Sequence, residues 1–245
     1  KRNANTEKVA AQMIADAIAK SSGIVVKIIH DGEAEASGTE ILVGATNRNT
    51  DSQIADFNSK LTGIDAIVAF DGKNVNLYGL SPTALLVAAN EFVAKFADQK
   101  ADKFSISLEA SHICKYNDSI LQAMSFNVWV SGKTPERNQR VLDMCFKYFP
   151  DTIGFQEVDP VWLATLKSGL KEHYDFVGEG RNGGTSGEYN PIFYKKEVFN
   201  LIDSGTRWLS STPNQVSKVD ESSLNRIYTF ALLERKSDGT RIMVV

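Results

Sequence analysis

Cysteine, histidine, long apolar runs and an excess of either charge are all scarce in this chain of 245 residues. Each scarcity excludes something. Two cysteines, Cys114 and Cys145, cannot build a disulfide framework, and neither has metal-ligand spacing. Cys145 falls on the apolar face of a predicted helix, where a buried and inert thiol is expected. No apolar run approaches the ~18 residues of a membrane span, and no secretory leader opens the sequence. Residues 1–118 carry 12 Lys and Arg against 15 Asp and Glu, and residues 119–245 carry 15 against 15. Neither part has the basic footprint of a duplex nucleic-acid binder, so a small or neutral substrate fits better. What is present is an ordinary globular composition, 42% hydrophobic and 23% charged. That rules out disordered, collagen-like and disulfide-scaffold chains and allows one to two domains.

The ends are read as those of a fragment. Residue 1 is Lys, and Thr240 to Val245 reads as a buried strand. The missing leader then says nothing about secretion.

Residues 6–98 alternate helix and strand signals. Thr6 can cap a helix with Val9, Met13, Ile14, Ala17 and Ile18 on one face and Gly23 at its end. Ile24–Ile29 and Glu40–Val43 read as buried strands. Asp51 opens a helix through Leu61. Asp65–Phe70 and Asn74–Tyr78 flank an Asp71-Gly72 turn, a hairpin signal. Ser81-Pro82 starts a helix with Leu85, Leu86, Ala89 and Phe92 inward. Polar, aperiodic Gln99–Ser119 marks the boundary, giving domains 1–99 and 120–245 joined by a linker, 100–119. The second domain begins strand (Ala123–Trp129), helix (from Thr134-Pro135, with Val141, Leu142, Cys145, Phe146 and Phe149 inward), strand (Asp151–Val158) and helix (from Asp159-Pro160, with Leu163, Leu166 and Leu170 inward). Strands follow at Ile192–Lys195, Asn200–Asp203, Ile227–Glu234 and Arg241–Val245. The expected fold class is α/β (α+β), a small mixed-sheet domain followed by sheets covered with helices.

Ser125-Phe126-Asn127-Val128-Trp129 and Asp151-Thr152-Ile153-Gly154-Phe155-Gln156-Glu157-Val158 each put a polar residue at the carboxyl end of an apolar strand with a helix next. Open α/β sheets bind ligands at that end. Asn127 and Glu157 are expected near each other there, and a carboxylate with an amide oxygen suits a hard divalent cation such as Mg2+ that keeps several waters. On spacing alone, a strand-end Asn and a solvated Glu are the favoured reading.

SFNVW, a helix bearing Arg140, PDTIGFQEV, then GEYNPIFYKKEVFNLIDSGTRWLSSTP (187–213) and the Arg226 strand together resemble the endonuclease/exonuclease/phosphatase superfamily over roughly residues 120–245. The resemblance implies the first half of a four-layer α/β/β/α sandwich and metal-dependent phosphoester hydrolysis with Mg2+ or Mn2+. It implies Glu157 as principal metal ligand and Asn127 as the strand-end residue supporting metal and phosphate. Glu188 becomes the acid that orients a catalytic histidine, and Arg226 an arginine close to the phosphate. Glu188 as a turn residue and Arg226 as a solvated charge stay open. The family's later motifs, Asn-Thr-His-Leu-Asp, Gly-Asp-Phe-Asn and Ser-Asp-His, match nothing here. His30, His112 and His173 match no motif and are read as structural or solvent-facing, His173 with the option of a charge at a helix C-terminus. The expectation is a fragment that is inactive alone, with one sheet face left uncovered and prone to association. The implied substrate is a small or lipid-linked phosphate ester more than a nucleic acid, in a secreted or cell-surface bacterial hydrolase, a cytoplasmic one staying open.

TEKVAAQMIADAIAK, ILVGATNR and DAIVAFDGKNVNLYGLSPTALLVAANEF resemble the small accessory domain before the catalytic barrel of β-hexosaminidase- and α-glucuronidase-type glycoside hydrolases. Gly44, Thr46 and Arg48 read as a structural turn more than an anion site. The rival reading is a non-catalytic, glycan-associated binding module, for which Trp129, Trp162 and Trp208 are candidate aromatic platforms that also fit as core.

Overall fold

The computed structural model of the chain describes residues 4–33, 38–97, 111–117 and 119–245. They fall into two compact units, Lys1–Asn117 and Asp118–Val245. Among the described residues no helix is long and apolar enough to cross a membrane.

The first unit opens with α1 (Ala4–Ser22), which buries Ala10, Ile14 and Ile18. Gly23 ends it at φ 73°, a left-handed position that favours glycine. Strand β1 (Ile41–Val43) leads to α2 (Asp51–Lys60), whose Thr50 and Gln53 form a reciprocal capping box. The hairpin β2 (Ala66–Phe70) and β3 (Val75–Gly79) turns at Gly72, φ 92°. Ser81 caps α3 (Pro82–Phe92) by accepting from Ala84 N–H. Strand β4 (Ser111–Cys114) completes a mixed sheet of order β1-β3-β2-β4, parallel only between β1 and β3. Phe57 and Leu61 pack on Ile67 and Ala69.

Two stretches differ from the sequence expectation here. Ile24–Ile29 is not a strand: it pairs with nothing among the described residues and leaves Val25 88% exposed. Its β-branched residues favour a strand only where a neighbour offers hydrogen bonds and packing. Conversely, Ser111–Cys114 lies inside the segment read as linker yet pairs with β2, Cys114 opposite Ala66. Its apolar signal, Ile113 and Cys114, is too short to show a period. Residues 100–110 and 118 of that segment lie outside the described residues.

The second unit runs β5 (Ala123–Asn127), α4 (Pro135–Tyr148), β6 (Thr152–Gln156), α5 (Pro160–Leu170), β7 (Tyr174–Val177) and β8 (Ile192–Lys195). It ends with β9 (Phe199–Trp208), β10 (Ile227–Arg235) and β11 (Arg241–Val244). Both helices begin as their sequences dictate. Thr134 accepts from Arg137 N–H with Pro135 at the first turn, and Asp159 accepts from Trp162 N–H with Pro160 likewise. They bury Val141, Cys145, Phe146, Trp162, Leu163, Leu166 and Leu170. One sheet has order β5-β6-β8-β7 and the other β11-β10-β9. Period-two burial of Ile227, Thr229, Ala231 and Leu233 on β10 turns one face of the second sheet inward, and β10 packs on β7 and β8. The unit is thus helices, sheet and sheet in layers, the α/β fold expected. Strand β7 was not foreseen; its four residues follow the helix too closely to register as a separate element.

Candidate functional site

Strands β5 and β6 are parallel, with Asn127 opposite Gln156, so both carboxyl ends open on one edge. Glu157 follows at φ 57° and Trp129 lies at φ 56°. These are two of three non-glycine residues with positive φ among the described residues, and strain of this kind persists where surrounding bonds over-determine it. The bonds are present. Asn127 Nδ2 donates to Glu157 Oε1 at 2.9 Å. Trp129 N–H donates to Asn127 Oδ1 at 2.8 Å, which fixes the amide's orientation. Val130 N–H donates to Glu157 Oε2 at 3.1 Å. Lys133 Nζ then pins this loop, donating to Val130 O at 2.5 Å and to Asp159 Oδ2 at 2.6 Å.

Electrostatically the result is a half-buried carboxylate held ionised. The Asn127 amide first, and Val130 N–H second, hold the Glu157 carboxyl below the usual carboxylate range. Each Glu157 oxygen accepts one hydrogen bond and keeps lone pairs for a cation, and Asn127 Oδ1 keeps one beside its bond to Trp129. Among the described residues no group of three or more His, Cys, Asp or Glu could hold a metal. One carboxylate and one amide oxygen fit Mg2+ or Mn2+, which are held by few protein ligands, and fit Zn2+ poorly.

Sequence reasoning placed Asn127 and Glu157 together, and the structure brings them into contact. Glu188 reaches the same strand end by another route, because its neighbour Tyr189 bridges Val158 through two backbone bonds of 2.7 and 3.3 Å. The Glu188 carboxylate is paired with Arg181, Nη1 to Oε2 at 2.9 Å. Arg226 stands exposed before β10. Among the described residues it makes no hydrogen bond or ion pair to Asn127, Glu157 or Glu188. The residues missed were Val130, whose backbone N–H has no sequence signature, Lys133 and Arg181. Only Arg181 left a trace: it faces Glu188 across a loop with glycines at 178, 180, 183, 184 and 187.

The remaining candidates sort by burial. His173 is 2% exposed between Phe146 and Phe149, and burial pushes its pKa down to about 4. It is therefore neutral, not the helix-end charge considered from sequence. His112 bonds Glu91 and Lys95 in the first unit. Burial pushes the Cys114 and Cys145 thiols up to about 12, inert as expected for Cys145. Arg48 is engaged by Glu40 at 3.1 Å, and Thr46 and Asn49 close a turn on each other, so that segment is a structural turn. Trp162 and Trp208 are buried, whereas Trp129 is 58% exposed.

Residues 124–224 match the model of the Endonuclease/Exonuclease/phosphatase family. Among solved structures, an endonuclease/exonuclease/phosphatase from Bacteroides vulgatus is 32% identical over 50% of this chain and 50% of that chain, with a TM-score of 0.47. A family protein from Bacteroides thetaiotaomicron is 28% identical over 50% and 48%, TM-score 0.45. A mannosyl-6-phosphatase from the same species is 27% identical over 51% and 49%, TM-score 0.46. The chain spans about half the length of these proteins. No curated protein matches it.

Proposed function

We propose that the second unit carries the metal-side half of a phosphoester hydrolase site, with Glu157 as the ligand of Mg2+ or Mn2+ and Asn127 as its orienting partner. The observation that carries this reading is the Asn127–Glu157–Val130 clasp, which keeps a half-buried carboxylate ionised at the open end of two parallel strands. The family match over 124–224 supports it. When bound, the ion would polarise a phosphoryl oxygen and stabilise developing negative charge. Glu157 holds the ion; Asn127 and Val130 fix the carboxylate's rotation. Arg181 neutralises Glu188, leaving that carboxylate a positioning role at the site's margin. Arg226 supplies positive charge at the surface toward a phosphate.

Activation of water needs a base, and this chain's three histidines match no motif of the family, with His173 buried between Phe146 and Phe149. On this reading the 245-residue chain binds metal and phosphoester without turnover. The substrate is a small or lipid-linked phosphate ester, the setting a secreted or cell-surface bacterial protein, and the first unit an accessory domain of glycoside-hydrolase type.

The test is the 31P linewidth of phenyl phosphate with the chain and Mn2+. Paramagnetic broadening beyond that of Mn2+ with phenyl phosphate alone, with the excess lost in Glu157→Ala, is expected. Equal broadening in the variant, or hydrolysis that the substitution leaves unchanged, contradicts the assignment. Metal-independent binding of glycans with no phosphate binding would turn the reading to the glycan-associated module.

A further inference from the structure

Trp129 is the one tryptophan of three that the fold leaves in solvent, and the fold goes to some length to do so. A bulky residue at φ 56° is an outlier. Here the left-handed turn is enforced from both sides. Trp129 N–H donates to Asn127 Oδ1, and Trp129 O accepts from Gly132 N–H at 2.9 Å and from the indole N–H of buried Trp162 at 3.4 Å. Gly132 is required: a Cβ there would lie 2.4 Å from Trp129 Cε3. The Arg137 guanidinium sits over the ring, 5.7 Å from its centroid, and is itself tied to Val128 O at 3.1 Å. An indole is thus immobilised, backed by a cation and 58% exposed, between the residue that orients Glu157 and the residue whose N–H binds Glu157.

Core packing explains none of this, because a core indole would be buried as Trp162 and Trp208 are. We infer that Trp129 is a specificity-determining wall of the site, stacking on a neutral ring carried by the phosphoester substrate. This deepens, and rests on, the reading of Asn127 and Glu157 as the metal and phosphate centre. The neutral ring follows from electrostatics. A flat indole offers dispersion and edge contacts to a sugar or aromatic ring. With Arg137 already on the ring, a second cation such as the choline of phosphocholine is repelled.

The experiment measures dissociation constants on the whole chain with Mn2+ present, by quenching of indole fluorescence and by calorimetry. Probes are phenyl phosphate, glucose 6-phosphate, glycerol 3-phosphate and phosphocholine. The ring-bearing probes are expected to bind about three- to ten-fold tighter than glycerol 3-phosphate, the range of one good stacking contact. Phosphocholine should show no such gain, and the two ring probes separate an aromatic from a sugar preference. Trp129→Ala should erase the preference while Mn2+ affinity stays unchanged, and Trp129→Phe should restore most of it. A preference that survives Trp129→Ala overturns the inference. So does loss of Mn2+ binding in that variant with a retained fold, since Trp129 would then serve only the clasp. If wild-type chain binds no Mn2+, or binds it equally in Glu157→Ala, the reading of the centre itself has failed, and the inference with it.

Discussion

Asn127 acts through its neighbour. Its amide cannot replace a carboxylate as the main ligand of a divalent ion, but it sets the rotamer and ionisation of one. In Asn127→Ala the Glu157 carboxyl loses its largest stabilising hydrogen bond, so its pKa should rise toward the ordinary carboxylate value. The wild-type carboxylate stays ionised as pH falls through the usual range, whereas the variant's protonates earlier. A 13C titration of the Glu157 carboxyl measures this directly; superimposable curves would show that Asn127 does not orient it. This pair was legible in the sequence because a polar residue ending an apolar strand is a one-residue anomaly in an otherwise regular pattern. Val130 N–H and the Arg181–Glu188 pair were not, since backbone donors and loop-closing ion pairs depend on where the chain turns. The Cys145 thiol was readable from helix periodicity, whereas that of Cys114 is buried by the pairing of β4 that the sequence did not show; neither is expected to react with a thiol reagent at neutral pH until the chain unfolds.

At the level of elements, the second unit's first sheet is tied together by one buried ion pair. Asp151, just ahead of β6, accepts from Gln122 N–H at 2.9 Å, ahead of β5, and from Lys195 Nζ at 3.0 Å on β8. Both charged side chains are almost wholly buried. Lys195 also lies 4.3 Å from the Phe149 ring centroid. Burial lowers the lysine's pKa and Asp151 opposes the shift. Asp151→Ala leaves a buried ammonium without its carboxylate and is expected to cost about 3–5 kcal/mol in urea unfolding. A loss under about 1 kcal/mol would mean that water reaches the pair. Gly132→Ala is expected to displace the Trp129 ring and blue-shift or quench its emission, without the larger stability loss of a core substitution. The Ser81, Thr134 and Asp159 caps, the Asp71-Gly72 hairpin and the apolar faces of α1, α3, α4 and α5 were readable, because each rests on contacts within a few residues; Thr6 was not the cap expected, since α1 begins at Ala4 and buries Thr6 within its first turn. The false strand at Ile24–Ile29 and the unforeseen β4 and β7 share a cause: strand identity is decided by a partner distant in sequence.

For the whole molecule, two units of different character share one chain, and the resemblance to the phosphoester hydrolases lies in the second. Its acid sensitivity should come from His173. With a folded pKa of about 4 against about 6.5 unfolded, the unfolded chain binds the proton more readily in between. Stability is therefore complete above pH ~6.5 and falls toward pH ~4, by at most ~1.4 kcal/mol per pH unit from this group. Replacing His173 with Gln should flatten that part of the profile.

The central claim is that the half-buried, clasped Glu157 holds a divalent ion. Calorimetric titration of Mn2+ into the chain and into Glu157→Gln tests it most directly, with melting curves to show that both are folded. The account expects one site in the wild type, lost in the variant, at matching melting temperatures because the side chain contributes little to packing. Undiminished Mn2+ binding by folded Glu157→Gln would contradict it.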